Sequence, residues 1–124
     1  MSLKTVLVVD DDEALRLVLS EALRAEGIKT LEAQNGVDGL TIALEKHPDF
    51  ILLDILMPEM GGEEMLQKLR ADEWGKNASV FVLTQLDSMD KISDMMTSKI
   101  DGYFVKSSLS VESMVKDVKK KLGM

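Results

Sequence analysis

Apolar runs rich in β-branched residues alternate with amphipathic stretches along the whole chain, the pattern of repeated βα units built around a parallel sheet. Five such units are legible. The first run, residues 4–9, precedes a segment that places Ala14, Leu15, Val18, Leu19, Ala22 and Leu23 on one helical face, and Gly27 ends it. A second strand is predicted over 28–33, after which the turn signal Asn35-Gly36 opens a helix carrying Val37, Leu40 and Leu44 and closed by Pro48. Residues 49–54 are apolar at successive positions, Phe50-Ile51-Leu52-Leu53, as expected of a mid-sheet strand covered on both faces. An irregular stretch, 55–62, holds Pro58, Gly61 and Gly62 and leads into a helix packing Met65, Leu66 and Leu69. The fourth predicted strand, 79–84, precedes a helix with Met89, Ile92, Met95 and Met96. The fifth, 102–105, precedes a helix striped by Val111, Met114, Val115, Val118 and Leu122.

Five units in 124 residues predict one α/β domain spanning 1–124, folded as a three-layer sandwich. An eight-unit barrel would need about twice the length. No solenoid-length repeat, low-complexity tract or linker interrupts the chain. Met1-Ser2-Leu3 is compatible with a native start or with a cloning remnant; in the second case an output domain would lie outside this sequence. A formal net charge of −7 argues against a nucleic-acid surface, which needs clustered Lys and Arg, so any DNA binding is expected of a partner. The absence of cysteine excludes disulfides, iron–sulfur clusters and thiolate zinc sites. The apolar run at 6–9 is too short for a signal peptide and meets acids at once, and no run reaches membrane-spanning length, which leaves a cytoplasmic location as the default expectation, with no membrane association.

Chemistry concentrates where the strands stop. Asp10 and Asp11 follow the first strand, Asp54 ends the third, Thr84 ends the fourth and Lys106 follows the fifth. In an open parallel sheet these carboxyl ends share one rim, where ligands bind. Acids at two strand ends are common by chance; an acid, an acid, a hydroxyl and an ammonium at four are far less so. Clustered carboxylates repel, and a hard divalent cation offsets that repulsion, because Mg²⁺ takes oxygen ligands and usually keeps waters and a phosphate in its shell. Phosphate chemistry is therefore the leading expectation. Asp12 is read as the cap of the first helix instead of a ligand.

The segments Val8-Val9-Asp10-Asp11, Leu53-Asp54-Ile55-Leu56-Met57-Pro58-Glu59-Met60-Gly61-Gly62, Val82-Leu83-Thr84 and Gly102-Tyr103-Phe104-Val105-Lys106 resemble the response-regulator receiver domain, the CheY-like family, over essentially the full length. The resemblance implies a flavodoxin-like (βα)5 fold with strand order 2-1-3-4-5. It implies that Asp54 accepts a phosphoryl group from a phosphohistidine of a sensor histidine kinase or histidine phosphotransfer protein. Mg²⁺ or Mn²⁺ would be held by Asp10, Asp11, an Asp54 oxygen and the main-chain carbonyl of Leu56. Lys106 would pair with Asp54 and then with a phosphoryl oxygen, and Thr84 would donate its hydroxyl to another. Such a domain is a phosphoacceptor that assists its own phosphorylation and dephosphorylation and is not a conventional enzyme. Readout would pass to an output protein or domain through helix 4, strand 5 and helix 5, a surface that also offers a homodimer.

Two readings of Tyr103 stand side by side: an aromatic switch responding to Thr84, and a partly buried strand tyrosine. Met89, Met95 and Met96 are read as core filling, His47 as an exposed loop residue, Trp74 as packing, and Lys116, Lys119, Lys120 and Lys121 as favourable charge at a helix carboxyl end. Three features depart from the family pattern. Ser107 stands where proline is usual, which implies a rearranged or a strained loop; Gln85 stands where a small residue is common, which implies a narrower pocket. Leu56 and Leu86 offer no polar group to orient an attacking water, which implies a long-lived aspartyl phosphate. The rival readings are a receiver-like module that signals without phosphate and a haloacid-dehalogenase-like phosphohydrolase using Asp10 as nucleophile.

Overall fold

The apolar runs fold as strands and the amphipathic segments as helices in strict alternation. The computed structural model describes residues 3–85 and 90–124. In chain order the elements are β1 (Thr5–Val9), α1 (Glu13–Ala25), β2 (Lys29–Ala33), α2 (Gly36–Lys46), β3 (Phe50–Asp54), α3 (Gly62–Arg70), a 3-10 turn (Gly75–Asn77), β4 (Val80–Thr84), α4 (Asp90–Met96), β5 (Gly102–Val105), a second 3-10 turn (Lys106–Ser108) and α5 (Val111–Lys121). All strand pairs are parallel and the sheet order is β2-β1-β3-β4-β5, the expected flavodoxin-like arrangement.

The period-two alternation of side chains sorts the central strands onto two faces. Leu7, Val9, Ile51, Leu53, Val80 and Val82 pack with Ala43 of α2, Met65, Leu66 and Leu69 of α3, and Ile92 and Met95 of α4. Val6, Val8, Phe50, Leu52 and Leu83 pack with Leu19 and Leu23 of α1 and Met114 and Val118 of α5. The central strands are thus buried on both sides, which is why residues 6–9 of β1 and 50–53 of β3 are all apolar before Asp10 and Asp54.

Two predicted helix faces need correction. On α1, Ala14 is exposed and Val18 is 48% exposed, because the sheet covers the narrower stripe of Leu15, Leu19, Ala22 and Leu23. On α2, Leu40 and Leu44 pack against the core as expected, but Val37 is exposed and the fully buried positions are Gly36, Gly39 and Ala43. A Cβ at Gly39 would lie 2.9 Å from Val9 Cγ1, so this helix meets the sheet through its own backbone. Met96 of α4 is also misassigned to the core, at 62% exposed, while Met95 is buried. Met89 lies outside the described residues.

Helix ends are tied by local chemistry. Asn35 and Ser110 cap α2 and α5 by accepting from the main-chain N–H of Asp38 and Ser113. Lys119 and Lys120 close α5 as expected, and Lys119 also pairs with Glu26 at 2.7 Å. Arg70, the last residue of α3, donates to the carbonyls of Ser98 (2.7 Å), Gly75 (2.7 Å), Ala78 (2.8 Å) and Lys99. One guanidinium therefore joins the end of α3, the 3-10 turn and the segment leaving α4.

Candidate functional site

The parallel register delivers the strand-end residues to a single rim. Val9 pairs with Leu53, Asp54 with Leu83 and Thr84 with Val105. The ladders run one residue further, through Asp10 N–H to the Ala33 carbonyl at 3.0 Å and Ile55 N–H to the Leu83 carbonyl at 3.2 Å, which fixes the backbone beneath both aspartates.

Asp10 and Asp54 are buried and Asp11 is exposed. Lys106 Nζ lies 3.1 Å from Asp10 Oδ2 and 3.2 Å from Asp54 Oδ2, bridging two carboxylates that would otherwise repel. Asp10 Oδ1 accepts from the Asp12 N–H at 2.9 Å and from Lys106 at 3.3 Å. Asp10 Oδ2, although close to the ammonium, has no hydrogen bond of acceptable geometry and is fully buried. One ammonium cannot saturate this set of oxygens. Burial first, and Asp10 second, push the Asp54 carboxyl up to about 7 against the opposing pull of Lys106. Burial works against the charge on Lys106, but Asp54 and Asp10 outweigh it and hold its pKa above the ordinary value.

A carboxylate oxygen from each of Asp10, Asp11 and Asp54 lies within 4.8 Å of the other two. With an orphaned buried oxygen among them, these groups fit a hard divalent cation. Asp12 faces away from this work: its Oδ1 accepts from Leu15 N–H at 3.1 Å and caps α1. Asp12→Ala is expected to cost about 1 kcal/mol of stability and to retain Mg²⁺ binding, whereas Asp11→Ala loses it. Calorimetric titration of both variants checks this, and the reverse result would exchange their roles.

Thr84 is buried, and its hydroxyl currently donates to the Gln85 carbonyl at 3.2 Å, so it must rotate to serve a ligand at the rim. Leu56 is 45% exposed and Gln85 is exposed, whereas Leu86 lies outside the described residues. Tyr103 sits on β5 opposite Val82 and is 43% exposed, more open than a packed strand tyrosine. At Lys106-Ser107 the peptide bond is trans, Lys106–Ser108 forms a 3-10 turn, and the ammonium reaches both carboxylates. His47 is exposed, as expected, and stacks on Trp74 with ring centroids 4.4 Å apart. That pair precedes β3 and β4 at the opposite rim of the sheet.

Sequence reasoning named Gly62 only as part of a loop and a motif, and did not single out Arg16. A Cβ on Gly62 would lie 2.1 Å from the Asp54 carbonyl oxygen, so the start of α3 presses directly on the backbone of the central aspartate. Arg16 Nη1 donates to the main-chain carbonyl of Asp10 at 2.8 Å. The Asp54…Gly62 spacing was a visible signal for the first; the second is a contact between turn and helix with no spacing signature.

Residues 6–119 match the family model described as the response regulator receiver domain. The chain is 34% identical over 89 residues to sporulation initiation phosphotransferase F of Bacillus subtilis, covering 72% of this chain and 70% of that protein. It is 29% identical over 120 residues to the polar-differentiation response regulator DivK of Brucella ovis, covering 97% of each. The solved structure of chemotaxis protein CheY4 of Vibrio cholerae superimposes with a TM-score of 0.88 at 27% identity, over 96% of this chain and 98% of that one.

Proposed function

This chain belongs to the response regulator receiver domain family of two-component signalling, and from that premise we propose that Asp54 is its phosphoacceptor. In the proposed step an Asp54 carboxylate oxygen attacks the phosphorus of a phosphohistidine. The P–O bond forms as the P–N bond breaks, and the imidazole nitrogen leaves with the bonding pair. The observation that carries the reading is the Lys106 ammonium, 3.1 Å from Asp10 and 3.2 Å from Asp54, in a buried cluster of carboxylate oxygens. Phosphoryl transfer spreads charge over three oxygens, so compensation by fixed charges is the main catalytic requirement.

Asp10, Asp11, Asp54 and the Leu56 carbonyl would hold Mg²⁺ or Mn²⁺, which when bound supplies positive charge to the phosphoryl oxygens. Lys106 exchanges its contact with Asp54 for one with a phosphoryl oxygen, and Thr84 turns its hydroxyl from Gln85 toward another. That rotation vacates space, and Tyr103 on the neighbouring strand follows it as the switch. The face formed by α4, β5 and α5, with Met96 and Tyr103 exposed on it, then meets an output protein, an output domain or a second copy of the chain. The domain runs over 1–124. Its donor is a sensor histidine kinase or a histidine phosphotransfer protein, and it acts in the cytoplasm as a phosphoacceptor that assists its own turnover. Among the described residues no helix is long and apolar enough to cross a membrane.

The hydrolase alternative asks Asp10 to be the nucleophile and leaves Asp54 without its central role, whereas the family match over residues 6–119 favours the receiver reading. Incubation with a small acyl phosphate and Mg²⁺, followed by peptide mapping, is expected to place one phosphoryl group on Asp54. Label on Asp10, or no label together with no response to beryllofluoride, would overturn the reading.

A further inference from the structure

We propose that Arg16 is a positioning residue for cation selection: by holding the Asp10 main-chain carbonyl it fixes the peptide joining Asp10 to Asp11 and so sets the angle between their two carboxylates. Arg16 is the fourth residue of α1, where a cation opposes the helix dipole, so local helix energetics do not account for it. Its side chain is only 13% exposed. Nη1 donates to the Asp10 carbonyl at 2.8 Å while Nε donates to Glu32 Oε1 at 3.1 Å.

Glu32 is itself held. Arg24 Nη2 pairs with its other oxygen at 3.0 Å and donates to the Thr30 carbonyl at 2.9 Å, anchoring the assembly to β2. The turn after β1 is thus pinned at three points: Asp10 N–H on Ala33, Asp12 N–H on Asp10 Oδ1, and the Asp10 carbonyl on Arg16. The third lies in the same peptide as the Asp11 N–H. Among the described residues no other hydrogen bond engages that peptide, whose plane sets where the Asp11 carboxylate starts relative to Asp10.

The inference rests on the reading of Asp10 and Asp11 as cation ligands. Its test exploits a difference in sign. By Coulomb's law alone, removing a cation beside a cation site tightens binding of every divalent ion. A lost positioning contact weakens binding, and weakens Mg²⁺ most, because Mg²⁺ demands near-ideal geometry while Ca²⁺ tolerates irregular ligand sets.

Mg²⁺ and Ca²⁺ are titrated calorimetrically into wild type, Arg16→Met and Arg16→Met/Glu32→Gln, the double variant removing the carboxylate that the single one strands and carrying the test if the single one does not fold. The expected result is a loss on the order of tenfold in Mg²⁺ affinity and about twofold or less for Ca²⁺. Unchanged or tighter Mg²⁺ binding, or an equal loss for both ions, would overturn the positioning role. Wild-type protein that takes up no Mg²⁺ would overturn the cation reading itself, a separate outcome visible before any variant is made.

Discussion

Asp54→Asn is expected to raise the melting temperature of the metal-free protein by roughly 5–10 °C at pH 8 and by little at pH 4. The Asp54 carboxyl stands at about 7 in the folded chain against an ordinary value of 3.8, through burial and the neighbouring Asp10. Between those two values the native state binds more protons than the unfolded state, so folding stability falls as pH rises through the window. Below it the carboxyl is neutral in both states and the penalty vanishes; above it the penalty is complete. The full linkage of about 4 kcal/mol is an upper bound, and solvent screening together with Lys106 reduces the expected gain to about 2 kcal/mol. Thermal melts of both proteins in chelator across pH 4–8 check it. A difference that is flat in pH, or that grows toward acid, would contradict the account. Added Mg²⁺ should then stabilise the wild type by mass action and the variant much less, because one of its ligands is gone.

Gly62→Ala is expected to destabilise the protein by about 3 kcal/mol or more and to lower the labelling of Asp54 further than the loss of folded protein explains. The added Cβ would meet the Asp54 carbonyl oxygen at 2.1 Å and the Asp54 carbonyl carbon and Ile55 Cα at 3.0 Å. All three are backbone atoms, so no side-chain rotation relieves the overlap. Either the start of α3 or the end of β3 must move, and the second choice displaces Asp54, the proposed phosphoacceptor. Gly27→Ala is the control: φ is +79° there but the space is open, so the strain should cost about 1 kcal/mol and leave labelling intact. Urea denaturation measures both, with labelling normalised to folded protein. Equal stability of the two variants would show that the contact between α3 and β3 is slack.

The contrast between those glycines marks where sequence patterning stops being informative. β1 and β3 were legible because residues 6–9 and 50–53, buried on both faces, form unbroken apolar runs that end at a carboxylate, which placed Asp10 and Asp54 at their strand ends. Lys106 was legible because it follows the short apolar run of β5, although that edge strand is only partly covered. The buried face of α2 was legible only in part: Leu40 and Leu44 pack against the core, but Gly36 and Gly39 are buried without a side chain for a hydrophobic pattern to register. On α1 and α4, Val18 and Met96 continue an apolar stripe past the width that the sheet covers. The link from Arg24 through Glu32 and Arg16 to Asp10 joins three elements, and its charges look in sequence like any solvated helix and strand face.

Arg70 bears on how a change at the rim would travel. Its guanidinium grips the carbonyls of Ser98 and Lys99, immediately beyond α4, and those of Gly75 and Ala78 on the other side. A seven-residue helix anchored at its far end has a fulcrum there. Any displacement fed in from the Thr84 end is expected to become a swing about Ser98 instead of a slide along the sheet. The amino-terminal turn of α4 is then expected to travel furthest and Met95 and Met96 least.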